Sequence, residues 1–167
     1  PDGGLYTVPY GRVCSKHNIE YDARFRSYPR REHVVRLRPT VVDERGFITN
    51  IFNADLKHIA LITSKKGSIR AGHYHPKEYG STQFMFALRG SWWATSQEVD
   101  ENGKLVPGTL HVQLIEEGML HEAPPMLAHQ YAFREDSMFL NINTGARQAE
   151  GYGTHTLSMP LPRPEGF

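Results

Sequence analysis

Two histidines one residue apart, His73 and His75, are the sharpest chemical signal in this 167-residue chain. Side chains two apart on a β-strand share one face, so both imidazoles project together. They close the segment Gly67-Ser-Ile-Arg70-Ala-Gly72-His73-Tyr74-His75. The next segment, Gln83-Phe-Met-Phe-Ala-Leu-Arg89-Gly90, places Gln83, Met85, Ala87 and Arg89 on one face of a strand. A third histidine, His129, follows a turn in Gly118-Met-Leu-His121-Glu-Ala-Pro124-Pro-Met126-Leu-Ala-His129. Imidazole titrates near pH ~6.5 and is also a common metal ligand. Two chemistries are therefore open. His73, His75 and His129 could ligate a divalent transition metal, or His73 and His75 could move protons beside a ketone without one.

These residues need a scaffold, and the chain is punctuated like an all-β protein. Short runs rich in Val, Ile, Phe and Thr alternate with Gly and Pro turn clusters, with no long helical period. Strands are expected near 34–38, 46–52, 57–63, 68–75, 82–89, 91–99, 109–115, 119–122, 127–133, 137–143 and 153–159. Asp100-Glu-Asn-Gly103 carries a hairpin signal between two of them. Such spacing suggests a sandwich or closed barrel rather than a parallel sheet with crossover helices. Residues 1–33 read as a polar, aromatic N-terminal arm, and residues 34–167 as one barrel domain.

Composition narrows the function classes. Hydrophobic residues make up 39% and charged residues 22%, enough for one folded core. A net charge of +1 argues against a nucleic-acid partner, whose binding depends on neutralising phosphates. A lone cysteine, Cys14, excludes an internal disulfide framework and a Cys-based zinc site. No apolar run approaches the roughly 18 residues that span a bilayer, and the opening Pro-Asp-Gly-Gly has no signal-like pattern. The expectation is a cytoplasmic protein with no membrane partner.

Gly67, His73, His75, Gln83 and Gly90, followed by Gly118, Pro124 and His129, resemble the two motifs of the cupin superfamily over roughly residues 40–143. The cupin carboxylate is replaced by Gln83, and the glycine after the proline by Met126. The resemblance implies a single-domain jelly-roll, a double-stranded β-helix barrel. In a metal-binding cupin the three histidines and the carboxylate hold the ion. Neutral Gln83 removes one anionic ligand and favours the metal-free reading.

Asp43-Glu-Arg45-Gly46 and Arg70-Ala-Gly72-His73-Tyr-His75 further resemble the D-x-R-G and R-G-x-H segments of nucleotide-sugar cupins, the deoxysugar 3,5-epimerases and 3,4-ketoisomerases. That resemblance implies a cofactor-independent isomerase or epimerase acting on a 4-keto-6-deoxy nucleotide sugar. His73 and His75 would be the catalytic pair, with Arg70, Gln83 and His129 bordering the substrate. Arg89 shares the strand face of Gln83, and Tyr74 or Tyr131, or Tyr79, could supply a phenol. Near Asn141, where the epimerases place a catalytic tyrosine, this chain has none. A metal-dependent dioxygenase or lyase, and a non-catalytic sugar-binding cupin, stand as the alternatives. The resemblance also implies a homodimer.

Other features carry less chemistry. Six arginines between Arg24 and Arg38 could grip a pyrophosphate, with Phe25 or Tyr28 stacking on a base, or could form a solvated face. Trp92 and Trp93 must face opposite sides of their strand, one in the core and one outside. His17, His33, His111 and His155 are isolated, whereas His58 and His121 could neighbour the main cluster.

Overall fold

A computed structural model describes residues 33–51, 56–145, 156–165 and 167, together with the backbone of three short strands nearer the N-terminus. Those three are β1 (Tyr6–Val8), β2 (Arg12–Cys14) and β3 (Ile19–Tyr21). Next come β4 (His33–Leu37), β5 (Val41–Asp43), β6 (Gly46–Ile48) and β7 (His58–Ser64). The centre of the chain forms β8 (Ile69–Tyr74), β9 (Gln83–Arg89), β10 (Trp92–Glu98) and β11 (His111–Ile115). Finally come β12 (Met119–Ala123), β13 (Leu127–Phe133), β14 (Ser137–Asn143) and β15 (Leu157–Ser158). Helix among the described residues is confined to one 3-10 turn at Lys77–Tyr79.

The strands form two large antiparallel sheets. One runs β11-β10-β13-β8-β15 and the other β3-β4-β12-β9-β14-β7. Their inner faces meet in one apolar core. Val34, Met85, Ala87, Met119 and Phe139 come from the six-stranded sheet, and Trp92, Ala94, Ile115, Tyr131 and Phe133 from the five-stranded one. Trp92 lies 5.4 Å from Phe133 and 5.3 Å from Phe139, ring to ring. The fold is the expected all-β jelly-roll.

Several expected strands change their bounds. The segment 46–52 contributes only β6, which pairs with β5 in a separate two-stranded hairpin. Its turn is the Asp43–Gly46 motif. The Asp43 carboxylate accepts from the Arg45 backbone N–H at 2.9 Å and from its guanidinium at 2.6 Å. This contact holds Asp43 below the usual carboxylate range. The final expected strand shrinks to Leu157–Ser158, and residues 153–155 lie outside the described residues. So do residues 22–32, most of the arginine-rich arm. Arg36 is instead engaged by the Glu116 carboxylate and the Glu117 carbonyl.

The expected Asp100–Gly103 turn is present. The Asp100 carboxylate caps it, accepting from the backbone N–H groups of Asn102 and Lys104. Gly90, between β9 and β10, has φ +84°, and a Cβ there would clash with Ser137 Oγ and the Asp136 carbonyl. Only glycine combines that backbone with so close an approach.

Candidate active site

Three histidines gather between the two sheets. His73 pairs directly with His129 across β8 and β13, so both side chains share the interior face. His75, just beyond β8, joins them. Ring centroids lie 5.2 Å apart for His73–His75, 4.8 Å for His73–His129 and 5.5 Å for His75–His129. The ligating nitrogens of the three lie within 4.8 Å of one another.

The local backbone explains how Arg70 reaches the same face. Ala71 and Gly72 both adopt positive φ, 63° and 77°, and form a bulge between β8 and β13. Tyr131 pairs with Arg70 and His129 with His73, so Ala71 and Gly72 on β8 together oppose the single residue Gln130 on β13. Strict alternation would have put Arg70 and His73 on opposite faces. The Arg70 guanidinium crosses to β7, where it donates to Ser64 Oγ at 2.5 Å and to the Thr63 carbonyl at 2.8 Å. It thereby clips the two sheets together while remaining exposed. Met126, which stands where the cupin motif has glycine, takes φ 62°. That left-handed conformation is strained for a residue with a Cβ.

Hydrogen bonds set the tautomers. The Nδ1 of His129 lies 3.0 Å from the Leu127 carbonyl, which can only accept, so Nδ1 carries the proton. In the neutral ring the lone pair then sits on Nε2, which is buried with no hydrogen-bond partner among the described residues. Burial pushes His129 well below the usual histidine value of 6.5, and positive charge on His73 or His75 would add to the effect. His129 is therefore neutral at neutral pH. Gln83 Oε1 lies 2.9 Å from His75 Nε2. With the amide oxygen accepting, Nε2 holds the proton and Nδ1 becomes the basic atom of neutral His75.

The expected site residues divide accordingly. His73, His75, Gln83 and His129 come together, and Tyr131 lies beneath them. Its ring is 5.6 Å from that of His129, and its hydroxyl is 3.2 Å from Nδ1 of buried His121. Tyr74 does not join them. Strand alternation turns it to the other face, where it packs with Val99, Ala128 and Leu161. Arg89 does not join them either. It is exposed at the far end of β9, about 20 Å of strand from Gln83.

Asn141 and Asn143 are not among the expected site residues, although their i, i+2 spacing on β14 is a visible signal. Alternating polar residues on a strand ordinarily mark a solvent face. Here they face inward.

No protein-family model matches the chain, and no curated protein matches it in sequence. Solved structures do match in fold. The dTDP-4-dehydrorhamnose 3,5-epimerase from Sulfolobus tokodaii is 18% identical with TM-score 0.65, over 84% of this chain and 81% of that one. The corresponding epimerase from Bacillus anthracis, with TDP and PPi bound, is 13% identical with TM-score 0.60, over 80% and 87%. A mutant of the 3,4-ketoisomerase QdtA from Thermoanaerobacterium thermosaccharolyticum, bound to TDP-4-keto-6-deoxyglucose, is 15% identical with TM-score 0.57, over 75% and 86%. Two packed antiparallel sheets and a histidine cluster at one end of their common core thus give this chain the cupin fold that deoxysugar epimerases and ketoisomerases share.

Proposed function

We propose that this protein is a nucleotide-sugar isomerase or epimerase that moves protons on a 4-keto-6-deoxy sugar without a cofactor. The observation that carries this is the cluster of His73, His75 and Gln83, inside a fold shared with enzymes of that class. One imidazole of the pair removes the proton alpha to the ketone, and the electron pair flows into the carbonyl oxygen to give an enolate. The other imidazole, protonated, returns a proton to carbon. The pair works with one ring neutral and one charged, a state imidazoles reach near neutral pH. Gln83 holds His75 in one orientation, and neutral His129 keeps a second positive charge out of the cluster.

The experiment is incubation with TDP-4-keto-6-deoxyglucose in deuterium oxide. Deuterium is expected in the sugar ring at carbons next to the carbonyl. A folded protein that binds the compound yet exchanges nothing rules out the catalytic reading in favour of a sugar-binding cupin.

A second reading is favoured by the nitrogens grouped within 4.8 Å and by the lone pair on His129 Nε2. Three imidazoles suit a divalent transition metal, whose nitrogen ligands lie at about 2.0–2.1 Å. Modest side-chain movement would bring His73, His75 and His129 onto such an ion, which would act as a Lewis acid. Protein purified without added metal is expected to hold none in stoichiometric amount. A stoichiometric metal that is lost in His129→Ala would reverse the order of the two readings.

The same proposal includes a homodimer in the cytoplasm, where sugar nucleotides are made. The β5–β6 hairpin exposes Val42 at 72% and Phe47 at 70%, and the β7 edge exposes Ile59 and Leu61. A second copy would cover such side chains, and the mass in solution checks it.

A further inference from the structure

We infer that Asn141 and Asn143 are substrate-positioning residues, a buried amide pair that receives the polar substituents of the sugar ring. This rests on the sugar-nucleotide reading above. On β14, Asn143 is paired with Gln83 of β9 on one side and His58 of β7 on the other. Asn141 sits likewise between Met85 and Ala60. Directly paired residues share a face. Met85 belongs to the core, and Gln83 meets His75, so both asparagines face the interior beside the histidine cluster.

Both are almost completely buried, Asn141 at 4% and Asn143 at 3% exposure. Among the described residues, Asn141 Oδ1 and Asn143 Nδ2 have no hydrogen-bond partner. Buried polar atoms are nearly always satisfied, because leaving them bare disfavours folding. An inward pair with one bare acceptor and one bare donor therefore points to groups that arrive with a ligand.

The chemistry of those groups follows from the atoms. Asn141 Oδ1 needs a hydroxyl that donates, and Asn143 Nδ2 needs an oxygen that accepts. A hydroxyl beside a ketone supplies both on neighbouring carbons. A pyrophosphate offers no donor to Oδ1, and an aliphatic group satisfies neither atom. The amides therefore fit the hydroxyketone of the sugar rather than the pyrophosphate. An amide is also no proton donor or acceptor near neutral pH, so this pair orients the ring while the histidines do the chemistry.

Calorimetric titration of the full chain with TDP and with TDP-4-keto-6-deoxyglucose tests the assignment. Asn141→Ala and Asn143→Ala are each expected to weaken the sugar nucleotide about 3- to 10-fold, the loss of one neutral hydrogen bond. Affinity for TDP alone should not move, which separates positioning from general damage to the fold. As a check independent of folding, the wild-type protein should lose a similar factor against an analogue lacking the hydroxyl beside the ketone. Asn141→Ala should then lose nothing further. Equal affinity for TDP-4-keto-6-deoxyglucose in wild type and both variants, or no loss against the analogue, overturns the assignment. If the wild type binds neither ligand, the sugar-nucleotide reading itself fails and takes this assignment with it.

Discussion

Replacing His73 or His75 with alanine is expected to lower turnover of TDP-4-keto-6-deoxyglucose by about 10²- to 10⁴-fold, the usual contribution of a positioned acid or base. Binding should change far less, because imidazole contacts to a neutral ring are a small part of the affinity for a nucleotide sugar. The two variants should also differ in kind. Without the base, no ring proton leaves and solvent exchange stops. Without the acid, the first proton can still exchange while product fails to form. Steady-state rates and deuterium incorporation, measured side by side, assign the roles. Full turnover in both variants would exclude the pair as the catalytic groups. Gln83 predisposes the comparison, because it leaves the basic lone pair of neutral His75 on Nδ1.

Trp92→Ala is expected to cost about 3–5 kcal/mol of folding stability, the range for emptying a large aromatic site in a packed core. Trp92 is fully buried against Phe133 and Phe139, where both sheets contribute to the core. In a chain of this size each kcal/mol moves the melting midpoint by roughly 2–4 °C, so a fall of about 6–20 °C should be seen. Trp92→Phe should cost much less. It fills most of the volume and removes an indole N–H that has no hydrogen-bond partner among the described residues. The adjacent Trp93 provides the contrast. It is half-buried on the outer face, with the Arg134 guanidinium 5.7 Å from its ring, so Trp93→Ala should cost about 1 kcal/mol. Urea unfolding of the three variants tests this ordering, and a Trp93 effect as large as that of Trp92 would refute it.

Much of the site is legible in the sequence. The His73-x-His75 spacing puts two imidazoles together on any extended strand, and Gln83 beside them needed only the next strand to pair nearby. The failures share a cause. Tyr74 adjoins both histidines in sequence and Arg89 shares the strand face of Gln83, but alternation carries Tyr74 to the opposite face and strand length carries Arg89 to the opposite end. Arg70 is a third case, placed on the face of His73 by its backbone while its guanidinium bonds Ser64 and Thr63 of β7. Alternation would have turned it away from His73, and the Ala71–Gly72 bulge turns it back.

The sequence by itself determined what short-range physics controls: an all-β chain, two tryptophans on opposite faces, two histidines on one, and a capped turn at Asp100–Gly103. Period-two alternation says which residues share a face, but not which face lies inside. That choice depends on pairings between distant segments. His129 opposite His73 makes the third member of the cluster, and Gln83 opposite Asn143 turns an apparently solvent-facing amide row into a wall of the interior. Register between strands far apart in the chain depends on how the whole apolar surface of both sheets is buried at once, and only the tertiary structure decides it.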